Sequence, residues 1–321
     1  MKKVLVIAAV TALAATSASA KWVYDGQWGK YGFGNGEFRE VHGLAVAPGG
    51  NVYVTDMDRA RVQYFTSTGS FLGKWGSRGY GNGQFSGPCG VAVAAAGTVY
   101  VVEEYVDRLQ YFTSTGSYLG QWGSKGSGNG EFSLPEGVAV APNGNVYVGD
   151  WGNNRIQYFT STGSYLGQWG SKGSGNGQFD GTWGVAYSGS DRVYVAEAGN
   201  QRIQYFTATG SFLGKWGRTG SGNGEFDVPC GVAVAPNGYV YVADTRNDRV
   251  QYFSATGSFL GKWGTPGSRP GEFNGPGYVG FSPPGGRVYV TDRSNNRVQY
   301  FRWSPPAVAP ASLGRVKALF K

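Results

Sequence analysis

Short apolar runs alternate along the chain with clusters of Gly, Asn, Ser and Asp, and Gly or Pro interrupts almost every window long enough for an amphipathic helix. The stretch from Gly123 to Trp169 shows the pattern. Gly137 to Ala141 predicts a short apolar strand. Pro142, Asn143, Gly144 and Asn145 then turn the chain, and Asn-Gly between apolar runs signals a hairpin because both residues accept positive φ. Val146 to Val148 predicts a second strand, Arg155 to Phe159 a third, and Tyr165 to Trp169 a fourth. Strict apolar/polar alternation is absent, as expected of small sheets packed on both faces.

This unit repeats. Gly-Gln/Lys-Trp-Gly starts at Gly26, Gly73, Gly120, Gly167, Gly214 and Gly261, a constant interval of 47 residues. A unit of that size cannot bury its own apolar surface, so it must stack in an array or close in a ring. Four short antiparallel strands per unit describe a propeller blade, whereas helical repeats need the continuous amphipathic runs that are missing. Gln-Tyr-Phe recurs at Gln63, Gln110, Gln157, Gln204, Gln251 and Gln299, with one extra residue near Gly285 and Gly286 before the last copy. The first unit opens on a fourth strand (22–28) and the last ends on a third, Arg297 to Trp303. Neither end is a whole blade, but together they make one and leave no open edge. The fold class expected is all-β, a six-bladed β-propeller of four-stranded antiparallel blades closed by the N-terminal outer strand.

The same residues carry a family resemblance. Pro229 to Val234 reads Pro-Cys-Gly-Val-Ala-Val, followed by Asn237-Gly238, by Val240 to Asp244, and by Asn247-Asp248-Arg249-Val250-Gln251-Tyr252-Phe253. The chain resembles the NHL-repeat family of six-bladed propellers over all six units. That resemblance implies a platform for protein or RNA, with lyase or related activity in a minority of such domains. In amidating lyases of similar fold, His residues at the mouth of the channel bind zinc. This chain has one histidine, so a three-His site does not carry over.

Composition adds a compartment. Lys2 and Lys3 precede an apolar stretch from Val4 to Ala15 and the small-residue pattern Ala18-Ser19-Ala20, which reads as a signal peptide (1–20) cleaved after Ala20. The expected organisation is a propeller over 21–303 and a Pro-rich spacer with a short basic tail over 304–321. The expected location is secreted, periplasmic or extracellular. No other apolar run approaches membrane length. Without Lys2 and Lys3 the balance is 26 basic to 20 acidic residues, a net +6. That charge suits acidic glycans or anionic surfaces without requiring nucleic acid, which export also argues against.

Candidate chemistry falls into three sets. Each repeat places an acid five residues before an Arg: Asp56 and Arg61, Glu103 and Arg108, Asp150 and Arg155, Glu197 and Arg202, Asp244 and Arg249, Asp292 and Arg297. All six pairs share one pattern, so they read as structural clamps made by charge-assisted hydrogen bonds. The position opening the innermost strand instead changes from copy to copy: His42, Cys89, Glu136, Trp183, Cys230 and Gly277. A variable slot in a uniform repeat is where a ligand site at the channel mouth would be written. His42 with Cys89 or Glu136 is a candidate metal set. Cys89 and Cys230 lie on opposite blades, farther apart than a disulfide or a shared zinc permits.

The third set is a basic rim of Lys30, Arg78, Lys125, Lys172 and Arg218 in the glycine-rich turns. These turns resemble phosphate-cradling loops only superficially, because no helix follows them. Trp151 and Trp183 each occur once and are candidate stacking residues. The expected function is an exported, non-catalytic, monomeric binding platform without a cofactor, for a protein, peptide or acidic glycan. The alternatives are a metal-dependent lyase or hydrolase using His42 and Glu136, and a self-assembling surface or matrix component.

Overall fold

The computed structural model describes residues 21–282 and 286–305. The expected leader (1–20) and nearly all of the expected tail lie outside the described residues. Those described form six four-stranded antiparallel sheets and one short 3-10 turn, Thr245–Asn247. Blade one runs Val41–Val46, Val52–Asp56, Arg61–Phe65 and Phe71–Trp75 from the axis outward. Blades two to five start at Pro88, Pro135, Thr182 and Pro229.

Blade six joins Pro276–Phe281, Arg287–Asp292 and Arg297–Ser304 to Lys21–Trp28, so the first described strand closes the ring on the last. The closing strands pair from Lys21 against Ser304 to Trp28 against Val298, with a bulge at Asp25. The Asp25 carboxylate sits between Arg287 (2.8 Å) and Arg302 (3.3 Å), two cations that face each other directly across the neighbouring strands.

Six apolar clusters make up the core of the described residues, each straddling two successive blades. In the joint between blades three and four, Tyr147, Ile156 and Trp169 meet Phe179, Val195 and Phe206. The Trp169 ring lies 5.7 Å from that of Phe206, and the Tyr147 hydroxyl donates to the Ala208 carbonyl at 3.1 Å. The outer-strand Trp residues thus recur at fixed phase because each plugs the next blade.

The innermost strands touch through backbone. A Cβ on Gly43, Gly90, Gly137, Gly184 or Gly231 would collide with the carbonyl of Cys89, Glu136, Trp183, Cys230 or Gly277 on the following blade. Only glycine permits that approach.

One local expectation is corrected. In the hairpin turn after Ala141, Gly144 has φ +89° but Asn143 does not take positive φ. Pro142 has no N–H to give the Asn145 carbonyl, so a two-residue Asn143-Gly144 turn would lack one of its closing hydrogen bonds. The chain instead makes a longer loop ending in a left-handed glycine, closed by hydrogen bonds from Gly144 N and Ala141 N.

Candidate functional site

The loops between outer and inner strands share one face of the ring with those between second and third strands, and the acid–Arg pairs weld them together. Arg155 Nε donates to the Asp150 carboxylate at 2.7 Å, and its other nitrogens donate to the carbonyls of Ser127, Gly128 and Glu131. All six pairs lie within 2.6–2.9 Å, with every acid fully buried. Burial pushes the carboxyls of Asp56, Glu103, Asp150 and Asp244 up, against the pull of their hydrogen bonds and Arg partners.

The glycine-rich turns spend their amides internally: Gly128 N donates to the Glu131 carboxylate and Gly130 N to the Gln157 side chain. The same contacts recur at Gly222 and Gly224, and at Gly81 and Gly83 with the Gln84 amide oxygen in place of the carboxylate. The turns hold their own acceptors where a phosphate would sit.

The variable slot does surround the axis, but it does not line an open mouth. His42, Cys89, Glu136 and Cys230 are all buried. Among them stands Tyr278, at the position where the other five inner strands carry the close-approach glycine. Its side chain crosses the ring, and its hydroxyl donates to the main-chain carbonyl of Glu136 on the opposite blade at 3.3 Å. The His42 ring packs 5.6 Å from it, and Trp183 packs on the same cluster. The channel is thereby stoppered. The expectation of a ligand-lined opening at these positions gives way to a plugged, largely buried ring. Sequence reasoning passed over Tyr278, although its break in the glycine pattern was visible.

Burial governs the chemistry of the plug. It raises the Glu136 carboxyl, with help from Glu104, to about 8, and leaves Oε2 without a partner among the described residues. Burial and nearby Arg293 hold the His42 imidazole well below its usual range, with Nδ1 also unpaired. The ring is therefore neutral at neutral pH. Burial raises the Cys89 thiol well above 9.0 and that of Cys230 to about 11. The single Cys89 S–H is shared between the carbonyls of Pro135 and Val102, and Cys230 Sγ donates to that of Val228. Both thiols are free and tied to main chain. Among the described residues, no three His, Cys, Asp or Glu side chains gather as metal ligands.

The basic rim is also uneven. Arg78, Lys125 and Lys172 occupy equivalent bridge positions, which the other turns fill with Tyr31, Thr219 and Pro266. Lys30 and Arg218 lie one residue earlier and are paired to Glu37 and Glu225 of their own turns. Three cations, not five, share a position.

What the face does expose is aromatic. Tyr31, Phe33, Tyr80, Tyr105 and Trp151 are exposed, all on blades one to three. The periodic exposed leucines, Leu72, Leu119, Leu166, Leu213 and Leu260, belong to outer strands instead. A cavity of about 350 Å³ on this face is lined by Phe33, Arg39, Asp58, Arg59, Arg61, Lys74 and Arg78, with Gly76 and Ser77. Larger hollows, about 510 and 550 Å³, lie by the hairpin turns of the opposite face, around Trp22, Tyr239 and Trp303 and around Tyr187 and Pro236. The sequence had not pointed to them.

Residues 38–65, 132–159 and 273–301 match the NHL repeat. No curated protein matches the chain. Among solved structures, a gluconolactonase of Xanthomonas campestris is 14% identical with a TM-score of 0.63, over 91% of this chain and 99% of that one. Virginiamycin B lyase of Staphylococcus aureus is 14% identical with a TM-score of 0.57, over 84% and 85%. A chain of a nidogen/laminin complex is 17% identical with a TM-score of 0.55, over 70% and 80%. At such identities the likeness is one of fold.

Proposed function

We propose that this chain, a six-bladed β-propeller carrying NHL repeats, is an exported binding platform that holds a protein, peptide or acidic glycan on its mouth face without turning it over. One observation carries the reading. The exposed aromatics that break the repeat on this face (Tyr31, Phe33, Tyr80, Tyr105 and Trp151) crowd onto three adjacent blades, while the axial channel beneath is stoppered by Tyr278. Aromatic side chains left in water on one sector of a rigid ring are what a recognition surface presents. Catalysis needs several titratable groups converging on an accessible point. Here His42, Glu136 and both thiols are buried. Export rests on the signal-like segment 1–20.

Solved structures of similar fold include two enzymes and a chain of a nidogen/laminin complex, so the decisive test must read binding and turnover together. Immobilised extracellular-matrix proteins, acidic peptides and acidic oligosaccharides serve as the panel. Wild type is compared with Tyr105→Gly/Trp151→Ala on the mouth face and Tyr239→Asn on the opposite one. Retention lost only in the mouth-face variant supports the platform. Turnover of a lactone or cyclic depsipeptide that disappears in Glu136→Gln overturns it in favour of an enzyme, and so does retention that depends on Tyr239 alone.

A further inference from the structure

Blade one departs from the repeat at one place. Where the other blades carry Tyr80, Ser127, Ser174, Ser221 and Ser268, blade one has Phe33. Where they carry Val106, Asn153, Asn200, Asn247 and Asn295, it has Arg59. Those four asparagines are structural: Asn153 donates to the Asp150 carboxylate and to the Gly126 carbonyl, and Asn200, Asn247 and Asn295 repeat the contact. Arg59 instead lies over the Phe33 ring, its guanidinium carbon 4.6 Å from the centroid.

At a third position, Gln27, Gln121 and Gln168 accept a hydrogen bond from the clamp arginine of their blade, whereas blade one has Lys74, a second cation beside Arg61, as blades four and five have Lys215 and Lys262. Phe33, Arg59 and Lys74 all line the 350 Å³ cavity. Of its other charges, Arg39 is paired to Asp58 at 3.0 Å, and Arg78 donates to the Asp58 carbonyl. Among the described residues, Arg59, Lys74 and Arg78 have no carboxylate within 4.0 Å.

We propose that this cavity is the binding site for an acidic sugar residue, a uronate or a sulfated hexose, of an extracellular glycan; the assignment rests on the platform reading above. Three unneutralised cations around a hollow select an anion. A guanidinium stacked on an aromatic ring keeps its in-plane N–H groups free, and these match a carboxylate or sulfate two at a time. Phe33 remains 54% exposed, so apolar ring surface lies beside the charges. An acidic sugar offers that combination, a C–H face next to an anionic substituent, in a volume near the low end of the roughly 300–1,000 Å³ typical of small-molecule clefts. An acidic peptide would satisfy the cations but leave the ring uncovered.

Phe33→Ser, Arg59→Asn and Lys74→Gln each install a residue that other blades already carry, so the fold is preserved. Calorimetric titration compares an oligouronate, a sulfated oligosaccharide, a neutral oligosaccharide of equal length and an oligoglutamate peptide. Binding of the oligouronate or the sulfated chain, but not of the neutral one, is expected, and which of the two binds tighter tells carboxylate from sulfate. Each substitution should weaken that binding about tenfold or more, the loss of one well-placed contact. Equal binding of oligoglutamate with no effect of Phe33→Ser means a mere charge patch and overturns the assignment. Acidic-sugar binding abolished by Tyr105→Gly/Trp151→Ala but untouched by these three variants refutes the cavity while leaving the platform standing. Absence of acidic-sugar binding, with a panel protein still retained, does the same.

Discussion

The Tyr278 phenol and the Glu136 main-chain carbonyl meet across the axis of the ring, 142 residues apart in sequence and 3.3 Å apart in space. A side chain that spans the channel must both fill it and find a partner on the far side. Tyr278 does both, and its ring packs on the buried His42.

Emptying the channel should therefore be costly. Tyr278→Phe removes one hydrogen bond and is expected to cost about 1 kcal/mol. Tyr278→Gly, the residue of the other five blades, leaves a cavity worth about 3–5 kcal/mol. Urea denaturation measures both. Alkylation of Cys89 and Cys230 in the native protein should be slow in wild type and in Tyr278→Phe and faster in Tyr278→Gly; equal rates in all three would mean that Tyr278 is not the stopper.

Glu136 makes stability fall as pH rises. Its folded-state carboxyl titrates near 8 against an ordinary 4.5, so between those values the folded protein holds a proton that the unfolded chain has released. The stability lost approaches about 1.4 kcal/mol per pH unit across that window, levelling off above pH about 8. Glu136→Gln should flatten this slope. His42 acts at the acid side: its depressed pKa means stability is lost as pH falls below the usual imidazole range. Denaturation midpoints of wild type, Glu136→Gln and His42→Gln across pH 5–9 separate the two.

The clamps predict a penalty out of proportion to one residue. Arg155→Ala strands a buried Asp150 carboxyl and three carbonyls of the preceding turn, and is expected to cost about 3–5 kcal/mol. Arg155→Lys keeps the charge but not the fork, so it should recover only part of the loss. A lysine variant as stable as wild type would show that charge alone fixes the turn.

Asp25 is the electrostatic pin of the closure. Asp25→Asn leaves Arg287 opposite Arg302 with no counter-charge and should cost on the order of 1 kcal/mol, more at low salt than at high. Removing residues 21–28 bares the edge of Arg297–Ser304 and should produce concentration-dependent association. Ultracentrifugation checks this: a strictly monomeric truncated ring would mean the edge is not sticky.

Much of this molecule was legible before folding. The constant spacing of Trp28, Trp75 and their successors gives the blade count because each Trp fills an identical joint. The split blade follows from strand bookkeeping, and the acid–Arg pairs from a spacing that recurs six times. The slot residues were found as a ring about the axis, but not that His42, Cys89, Glu136 and Cys230 are buried in it. Tyr278 of the sixth blade was missed because its glycine-replacing side chain matters only once six inner strands converge and it can reach Glu136. The unevenness of the basic rim was also out of reach: Lys30 and Arg218 sit one residue out of phase and pair with Glu37 and Glu225.

By itself, then, the sequence determined everything periodic: six blades, their strand order, the closure by the first strand and the clamp in each turn. Those features rest on contacts within a unit or with the next one, and such contacts must repeat when the unit repeats. Only the tertiary structure decided the singular features: the stopper from Tyr278 to Glu136, the neutral buried His42, and the charged cavity where Arg59 turns onto Phe33. These arise where a non-repeating side chain meets partners brought near by closure of the ring, and no spacing along the chain encodes that distance.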